Sequence, residues 1–171
     1  MATLAPSSAW YLIHTKPKQE HVALDHLSRQ GYDCYLPRIQ KERMRLGRLE
    51  TVWEPLFARY LFVDLDHPDY NPNWGPIQST QGVTRLVRFG NQAAKIDAHW
   101  IQAFKEREQQ TPVQPLFKFG DMVRITQGPY AGLEALYQKG TAAQRALVLF
   151  ELLGKPVKLN IPSCALRQLP V

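Results

Sequence analysis

Apolar residues near the start of the chain change from the spacing of a strand to the spacing of a helix. Residues 10–15 (WYLIHT) are aromatic and β-branched, which predicts a strand. Ala23, Leu24 and Leu27 then fall on one face of a helix, with Pro17 suited to its first turn. Gly31 can adopt the left-handed conformation that ends such a helix. The first elements are therefore predicted to be a strand and an amphipathic helix.

A second strand and a hairpin are predicted next, over residues 33–37 and around Gly47. Residues 57–65 (FARYLFVDL) carry the strongest strand pattern in the chain. The alternation predicts two faces of that strand. Phe57, Arg59, Leu61 and Val63 are assigned to one face, and Tyr60 and Phe62 to the other.

Three further segments complete the first domain. Turn-forming residues fill positions 67–75, a strand is predicted over 82–89, and a helix over 97–107 that begins at the capping residue Asp97. The order β-α-β-β-α-β is typical of a split sheet with helices on one face. We therefore predict an α+β fold for residues 1–105.

A polar, proline-containing segment over residues 106–116 is predicted to be a linker. Residues 117–171 then form a second small domain. Val123 and Ile125 alternate with polar neighbours, and short strands are predicted over 133–137, 146–150 and 157–161. Closing such strands into a small β-barrel removes their open edges. Residues 142–153 (AAQRALVLFELL) satisfy helical spacing equally well, so pattern alone leaves both states open.

The charge balance favours a polyanionic partner. The 171 residues include 21 Lys and Arg against 15 Asp and Glu, a net charge of +6. Lys41, Arg43, Arg45 and Arg48 lie within eight positions around Gly47, a pattern that fits either a nucleic-acid contact or a solvated surface. Two cysteines are too few for a disulfide scaffold, no window has the length of a membrane span, and no secretory signal is present. We expect a cytoplasmic, monomeric protein without a membrane partner.

The sequence carries no pattern typical of an enzyme. The five histidines have no metal-ligand spacing, and phosphate loops, nucleophile elbows and paired carboxylates are absent. We expect no catalytic activity, no cofactor and no metal site.

Five stretches, in the right order, carry a resemblance to a known family. Residues 120–132 (GDMVRITQGPYAG) resemble the KOW motif of transcription factors and ribosomal proteins. Residues 10–12 and 15–20, together with 54–63 (EPLFARYLFV) and 80–90 (TQGVTRLVRFG), resemble the NusG N-terminal domain. The resemblance spans nearly the whole chain, and within the superfamily it is closer to the RfaH-type antitermination paralogues.

The resemblance implies an operon-specific transcription elongation and antitermination factor. Its N-terminal domain would bind the β′ clamp helices of RNA polymerase and reduce pausing. Tyr60 and Phe62, which share one face of the strand over 57–65, could supply aromatic anchors for polymerase or could pack under the domain's own helices. Trp74 stands in the segment that contacts polymerase in RfaH. Trp74 could equally stack on a base or cover its own loop.

The same resemblance implies contact with the non-template DNA strand. Lys16, Lys18 and Gln19 lie in the family's DNA-contacting loop. Gln81 stands where RfaH has an arginine, and Pro17 where it has a second basic residue, so the DNA element read by this chain would differ.

In RfaH the C-terminal domain packs as an α-helical hairpin over the polymerase site and refolds into a barrel on release. The residues that match the family's interdomain ion pair are Glu54 and Arg145, and Tyr137, Leu149 and Leu153 would cover the aromatic strand. The released domain would recruit a ribosomal protein of the small subunit. Two alternatives stay open, which are a general NusG-like elongation factor and a KOW module that binds ribosomes or RNA.

Overall fold

The computed structural model of the chain describes residues 9–66 and 74–170. The backbone divides into two compact units, one of residues 1–39 and 53–112 and one of residues 40–52 and 113–171. This division differs from the predicted one, which placed a single boundary at residues 106–116. Residues 40–52, which include most of the predicted hairpin, belong to the same unit as the C-terminal residues. The helix predicted over 97–107 also runs on to Gln110, so it occupies the first half of the predicted linker.

The elements from the amino terminus to the last helix are, in order, β1 (Ala9–Thr15), α1 (Glu20–Arg29), β2 (Asp33–Tyr35), β3 (Arg38–Arg45), β4 (Arg48–Pro55), β5 (Tyr60–Asp64), α2 (Gly75–Gln78), β6 (Val83–Leu86), β7 (Arg88–Phe89), β8 (Gln92–Ala93), β9 (Lys95–Asp97) and α3 (Ala98–Gln110). They are followed by β10 (Met122–Ile125), β11 (Glu134–Gly140), β12 (Arg145–Leu152), β13 (Lys155–Pro162), a 3₁₀ turn (Ser163–Ala165) and β14 (Leu166–Gln168). Among the described residues no helix combines the length and the apolar character needed to cross a membrane.

The first unit is built on an antiparallel sheet in the order β2-β5-β1-β6, and β9 also pairs with β1. Its first face forms the core. Ile13, Leu61 and Val63 are fully buried there, against Ala23 and Leu27 of α1. The predicted end of α1 is confirmed, since Gly31 follows it with φ +90°. The helix begins later than predicted, at Glu20, because Pro17 lies in a turn.

Two predictions about the sheet are wrong. Helices do not cover one face alone, because Phe62 points away from the core and stacks on Phe104 of α3. The pattern of residues 57–65 also does not continue as one strand. Arg59 has φ +69°, β5 begins at Tyr60, and Phe57 reaches the same side as Phe62. A left-handed residue at position 59 breaks the alternation on which the predicted face depended.

Several local predictions hold in the remainder of the first unit. Asp97 caps α3, accepting a hydrogen bond from the His99 N–H at 2.8 Å. The predicted strand over 82–89 is divided into β6 and β7, and β7 pairs with β8. The turn predicted over 67–75 falls mostly on residues 67–73, which lie outside the described part of the chain.

The second unit contains a five-stranded antiparallel sheet in the order β13-β12-β11-β10-β14. Val123, Ile125, Ala146 and Val148 are fully buried in its core. Residues 145–152 form β12, so the strand alternative predicted for residues 142–153 is the one that the structure has, and the helical alternative is absent. Pairing of β12 with β13 along eight residues satisfies backbone groups that a helix would bond internally.

The predicted basic hairpin is formed by β3 and β4. Leu46 and Gly47 make its two-residue turn, with φ +49° and +75°. Two consecutive positive φ values are the geometry of a type I′ turn, whose twist matches that of the flanking strands.

Candidate functional site

An apolar depression of about 370 Å³ opens on the second face of the first unit's sheet. It is lined by residues of β1, β5, β7, β9 and α3 and of the loops beside them. These residues are Leu12, Phe57, Tyr60, Phe62, Phe89, Ala94, Lys95, Ile96 and Phe104. Phe89 is 76% exposed and Phe57 is 39% exposed, so the rim offers aromatic surface to a partner.

The two aromatic residues predicted to anchor polymerase have different environments. Phe62 is only 5% exposed, because the Phe104 ring stacks on it and the Phe57 ring meets its edge. It forms the floor of the depression and is not an exposed anchor. Tyr60 is half-buried, with its ring centroid 5.1 Å from that of His14. Of the predicted pair, Tyr60 is therefore the residue that a partner can touch.

Trp74 does not join the depression. Its ring packs on Tyr11, with centroids 5.3 Å apart, and the guanidinium of Arg88 lies 5.8 Å from its centroid. Tyr11 belongs to the core on the first face of the sheet. These contacts support the alternative that Trp74 covers its own domain, and a contact of Trp74 with polymerase stays a prediction.

The four residues predicted to contact DNA are brought together on two neighbouring loops. Lys16 and Lys18 are exposed and Gln19 is half-buried in the loop between β1 and α1. Gln81 is exposed in the loop before β6. The Lys16 N–H donates to the Gly82 carbonyl at 2.8 Å, which ties the two loops together.

Gly82 makes this close approach possible. Its φ is +86°, and a β-carbon at this position would lie 2.8 Å from the backbone nitrogen of Ala23. It would also lie 3.1 Å from the carbonyl oxygen of Gln19. Any side chain would push the two loops apart, so the absence of a side chain fixes the spacing of the candidate DNA residues.

Two arginines that sequence reasoning missed extend this basic surface. Arg85 pairs with His14 across the β1–β6 ladder, and His14 pairs with Tyr60 across β1–β5. Arg59 donates through Nε to the Thr15 carbonyl at 3.2 Å. Arg59, His14 and Arg85 therefore form a basic row, which runs from the aromatic rim of the depression to the loop that carries Lys16. The strand register that creates it could not be obtained from the pattern of a single strand.

His14 lies inside this row and has a lowered pKa. Loss of hydration on burial is the largest cause, and the positive charges of Arg59 and Arg85 add to it. Its Nδ1 atom is buried without a hydrogen-bond partner. The neutral imidazole of His14 is therefore favoured. Its ring and that of Tyr60 form a pair, and Arg59 and Arg85 lie beside it.

The residues predicted to lie between the domains are placed on two different units. Glu54 is at the end of β4, in the first unit. Arg145 is on β12, where its guanidinium donates to Asn160, to Oδ1 at 3.0 Å and to the carbonyl at 2.6 Å. Arg145 is thus engaged within its own sheet.

The predicted apolar cover is not assembled in the second unit. Tyr137 packs on Phe117 in the core, with ring centroids 5.3 Å apart. Tyr137 pairs with Val148, so Leu149 points to the opposite side of the sheet. Leu153 is 95% exposed in the turn after β12. The helical face that was expected to present these three residues together does not exist in a strand.

Within residues 9–66 and 74–170, no three histidine, cysteine, aspartate or glutamate side chains are grouped as metal ligands would be. Cys34 and Cys164 are both free thiols. Burial and, to a lesser extent, the neighbouring Asp33 charge together raise the pKa of Cys34 to about 12. The thiol form of Cys34 is therefore stabilised.

A family model described as transcription termination factor NusG matches residues 8–105. This chain belongs to the NusG family of transcription termination factors. The matched segment contains the depression, the two basic loops and the row of Arg59, His14 and Arg85. The NusG-family assignment made from the sequence is confirmed at this level.

Relatives extend the likeness beyond the matched segment. The transcription termination/antitermination protein NusG of Deinococcus radiodurans is 26% identical to this NusG-family chain, over 93% of this chain and 99% of that protein. NusG of Thermus thermophilus is 26% identical over 73% of this chain and 78% of that one. A solved structure described as domain interaction in Thermotoga maritima NusG aligns over 95% and 98% of the two chains, at 18% identity and a TM-score of 0.37.

Proposed function

We propose that this NusG-family chain is a transcription elongation and antitermination factor that docks its apolar depression on the β′ clamp helices of RNA polymerase. The observation that carries the proposal is the depression itself. Its floor is built by Phe62 and Phe104, and its rim leaves Tyr60 and Phe89 accessible. Paired helices present ridges of apolar side chains, and an apolar cavity with an aromatic rim is the surface that such ridges fill.

The basic row beside the depression is proposed to hold the non-template DNA strand. Single-stranded DNA needs cations for its phosphates and flat side chains for its bases. Lys16, Arg59 and Arg85 supply the cations, and the ring pair of His14 and Tyr60 supplies a flat surface. Because these groups border the depression, one chain could hold polymerase and exposed DNA at the same time.

The C-terminal unit is proposed to be a KOW domain that couples transcription to the small ribosomal subunit. Its five-stranded antiparallel sheet and the turn at residues 128–132 support this assignment. Met122, Leu136 and Leu149 follow one another across three strands, and Met122 and Leu136 are 43% and 38% exposed. Such an apolar row on a polar domain is typical of a surface for a protein partner.

A general NusG-like role is the second candidate. The relatives reported above carry the name NusG, and the C-terminal unit has strands where RfaH in its closed state has helices. An operon-specific factor would require a preferred DNA sequence, whereas a general factor would bind exposed strands alike. Competition between single strands of different sequence for the purified chain separates these two roles.

Binding to assembled elongation complexes tests the main proposal. The chain should migrate with these complexes on a sizing column and shorten their pauses. Tyr60→Ala should abolish both effects, while Tyr130→Ala, which truncates a tyrosine of the second unit that is 40% exposed, should leave them unchanged. Binding to ribosomes or RNA without any binding to elongation complexes would contradict the proposal and favour the ribosomal alternative.

Salt titration tests the DNA contact separately. For single-stranded DNA, Arg59→Gln and Arg85→Gln should each reduce the slope of log affinity against log salt by about 0.7. Arg29→Gln is the matched control, because Arg29 is exposed on α1 and pairs with Asp25 at 2.8 Å. If all three variants had the same slope as the unaltered chain, the basic row would not be part of the DNA site.

A further inference from the structure

The β3–β4 hairpin has a basic face that the single-strand site does not include. Lys41, Arg43 and Arg45 alternate along β3, so they project from one face of the ribbon. Arg48 begins β4 directly after the two-residue turn, opposite Arg45, and the same register places Glu50 opposite Arg43. Arg43, Arg45 and Arg48 are exposed. Successive cations on β3 are about 6.6 Å apart, since each residue of a strand advances about 3.3 Å.

The tip of the ribbon has a side chain that its backbone disfavours. Leu46 is 97% exposed and has φ +49°, a position where asparagine, aspartate or glycine is the usual choice. An exposed leucine here costs both hydration and backbone strain. The ribbon therefore ends in an apolar side chain that stands clear in solvent, with arginines on both sides of the turn.

The ribbon is held in place within the second unit. Leu49, beside Arg48, exchanges two hydrogen bonds with the Gln144 side chain. The Leu49 N–H donates to Oε1 at 2.7 Å, and Nε2 donates to the Leu49 carbonyl at 3.0 Å. On the other strand, the Glu42 N–H donates to the Gln114 carbonyl at 2.8 Å. A ribbon anchored on both strands loses little freedom when its tip binds a partner.

We propose that this ribbon binds duplex DNA, with its cations on the phosphates and Leu46 inserted from the minor groove. Cations in a regular row fit a polyanion with regular spacing. The exposed cationic face carries no aromatic side chain, so it offers no platform for stacking single-stranded bases. An apolar tip between basic flanks is instead the arrangement with which architectural proteins wedge into the minor groove and kink a duplex. This duplex site uses different residues from those of the single-strand site of the first unit.

The chain supplies an internal control for the wedge. Leu153 and Gly154 form a second two-residue turn, between β12 and β13, with φ +51° and +74°. Leu153 is 95% exposed, as Leu46 is, but its flanking residues are Glu151, Leu152, Lys155 and Pro156 instead of a row of arginines. Asparagine accepts a positive φ, so Leu46→Asn and Leu153→Asn should both fold.

Fluorescence of 2-aminopurine in a duplex of about two helical turns reports unstacking of the base pairs, and anisotropy of the same duplex reports affinity. With the full chain, fluorescence should rise on binding. Leu46→Asn should abolish this rise, and Leu153→Asn should retain it. A rise that is absent with the unaltered chain, or that Leu46→Asn leaves intact, would overturn the wedge.

Salt dependence tests the cationic face. Arg45→Gln and Arg48→Gln should each lower the duplex slope of log affinity against log salt by about 0.9, while Arg167→Gln, an exposed arginine of β14, should not change it. Lys16→Ala should weaken single-strand binding and leave duplex binding unchanged. The proposal would be overturned if Arg167→Gln lowered this slope as much as Arg45→Gln and Arg48→Gln do. It would also be overturned if the chain bound an RNA duplex, whose minor groove is wide and shallow, more tightly than a DNA duplex.

Discussion

The ring of Phe62 lies against the ring of Phe104, with centroids 6.1 Å apart and planes inclined by 28°. This contact joins the central sheet to α3 on the face that the first core does not use. It turns an aromatic strand residue into the floor of a depression. The two aromatic residues of β5 therefore divide their roles, because Phe62 holds the surface in shape and Tyr60 contacts what binds there.

Truncation of these two aromatic residues should separate stability from binding. Phe62→Ala should lower the free energy of unfolding by about 3–5 kcal/mol, since it opens a cavity between β5 and α3. Tyr60→Ala, at a half-buried position, should lower it far less and should still remove binding to elongation complexes. Urea unfolding followed by circular dichroism, beside a binding assay, measures both. A destabilisation by Tyr60→Ala as large as that by Phe62→Ala would show that both rings are structural.

Substitution of Gly82 should damage the two-loop site from a distance. Gly82→Ala places a methyl group 2.8 Å from the Ala23 backbone nitrogen and keeps an unfavourable positive φ, so we expect a loss of more than about 1 kcal/mol. Single-strand binding should weaken with it, because the loops of Lys16 and Gln81 must separate.

Gly31→Ala is the control for this substitution. Gly31 has φ +90° and open space around it, so the variant carries the backbone strain alone. If the two variants lose the same stability and the same DNA affinity, the close approach at Gly82 has no special role.

The lowered pKa of His14 predicts a specific dependence of stability on pH. The folded state favours neutral His14, so the unfolded state binds more protons once the pH falls below its ordinary value of 6.5. This contribution to stability is complete above that value and is lost as the pH falls through 6.5 toward the lowered folded value. Unfolding in urea at about pH 7.5 and about pH 5.5 should show a smaller change for His14→Gln than for the unaltered chain. Identical changes would contradict a role for His14.

The hidden thiol of Cys34 predicts slow alkylation in the folded chain. With a pKa of about 12, almost no thiolate is present near pH 8, and burial further limits access. Iodoacetamide followed by peptide mass spectrometry should modify Cys34 slowly without denaturant and rapidly in urea. Fast modification of Cys34 in the folded chain would mean that the edge at β2 opens readily.

The sequence predicted the elements of this fold better than their faces. Aromatic and β-branched composition identified β1, alternation identified β5, and Gly31 and Asp97 marked helix ends through local chemistry. The position of α3 over Phe62 was missed, since nothing in a strand pattern shows which helix covers its second side. Arg59 was assigned to the wrong face because a left-handed residue interrupts the alternation, and no local signal revealed it.

Part of the candidate site could be predicted from the sequence, and the rest depends on contacts between residues that are far apart in the chain. Lys16, Lys18, Gln19 and Gln81 were grouped by family resemblance, and the loop contact through Gly82 supplies the physical cause of their proximity. The alternatives left open for Trp74 could not be separated from the sequence, because its contact with Tyr11 is long-range. In residues 142–153 helix and strand spacing coincide, so pairing with β11 and β13 decides the state.

Strand β1 bonds to β5, β6 and β9, and it contributes Ile13 to the core, Leu12 to the depression and His14 to the basic row. A single seven-residue segment thus underlies three separate properties of the first unit. Amide protons along it should exchange with solvent only on global opening, as slowly as any in that unit. Loss of this strand, by proteolysis or by mutation, would abolish every binding activity of the unit at once, and no single activity would survive without the others.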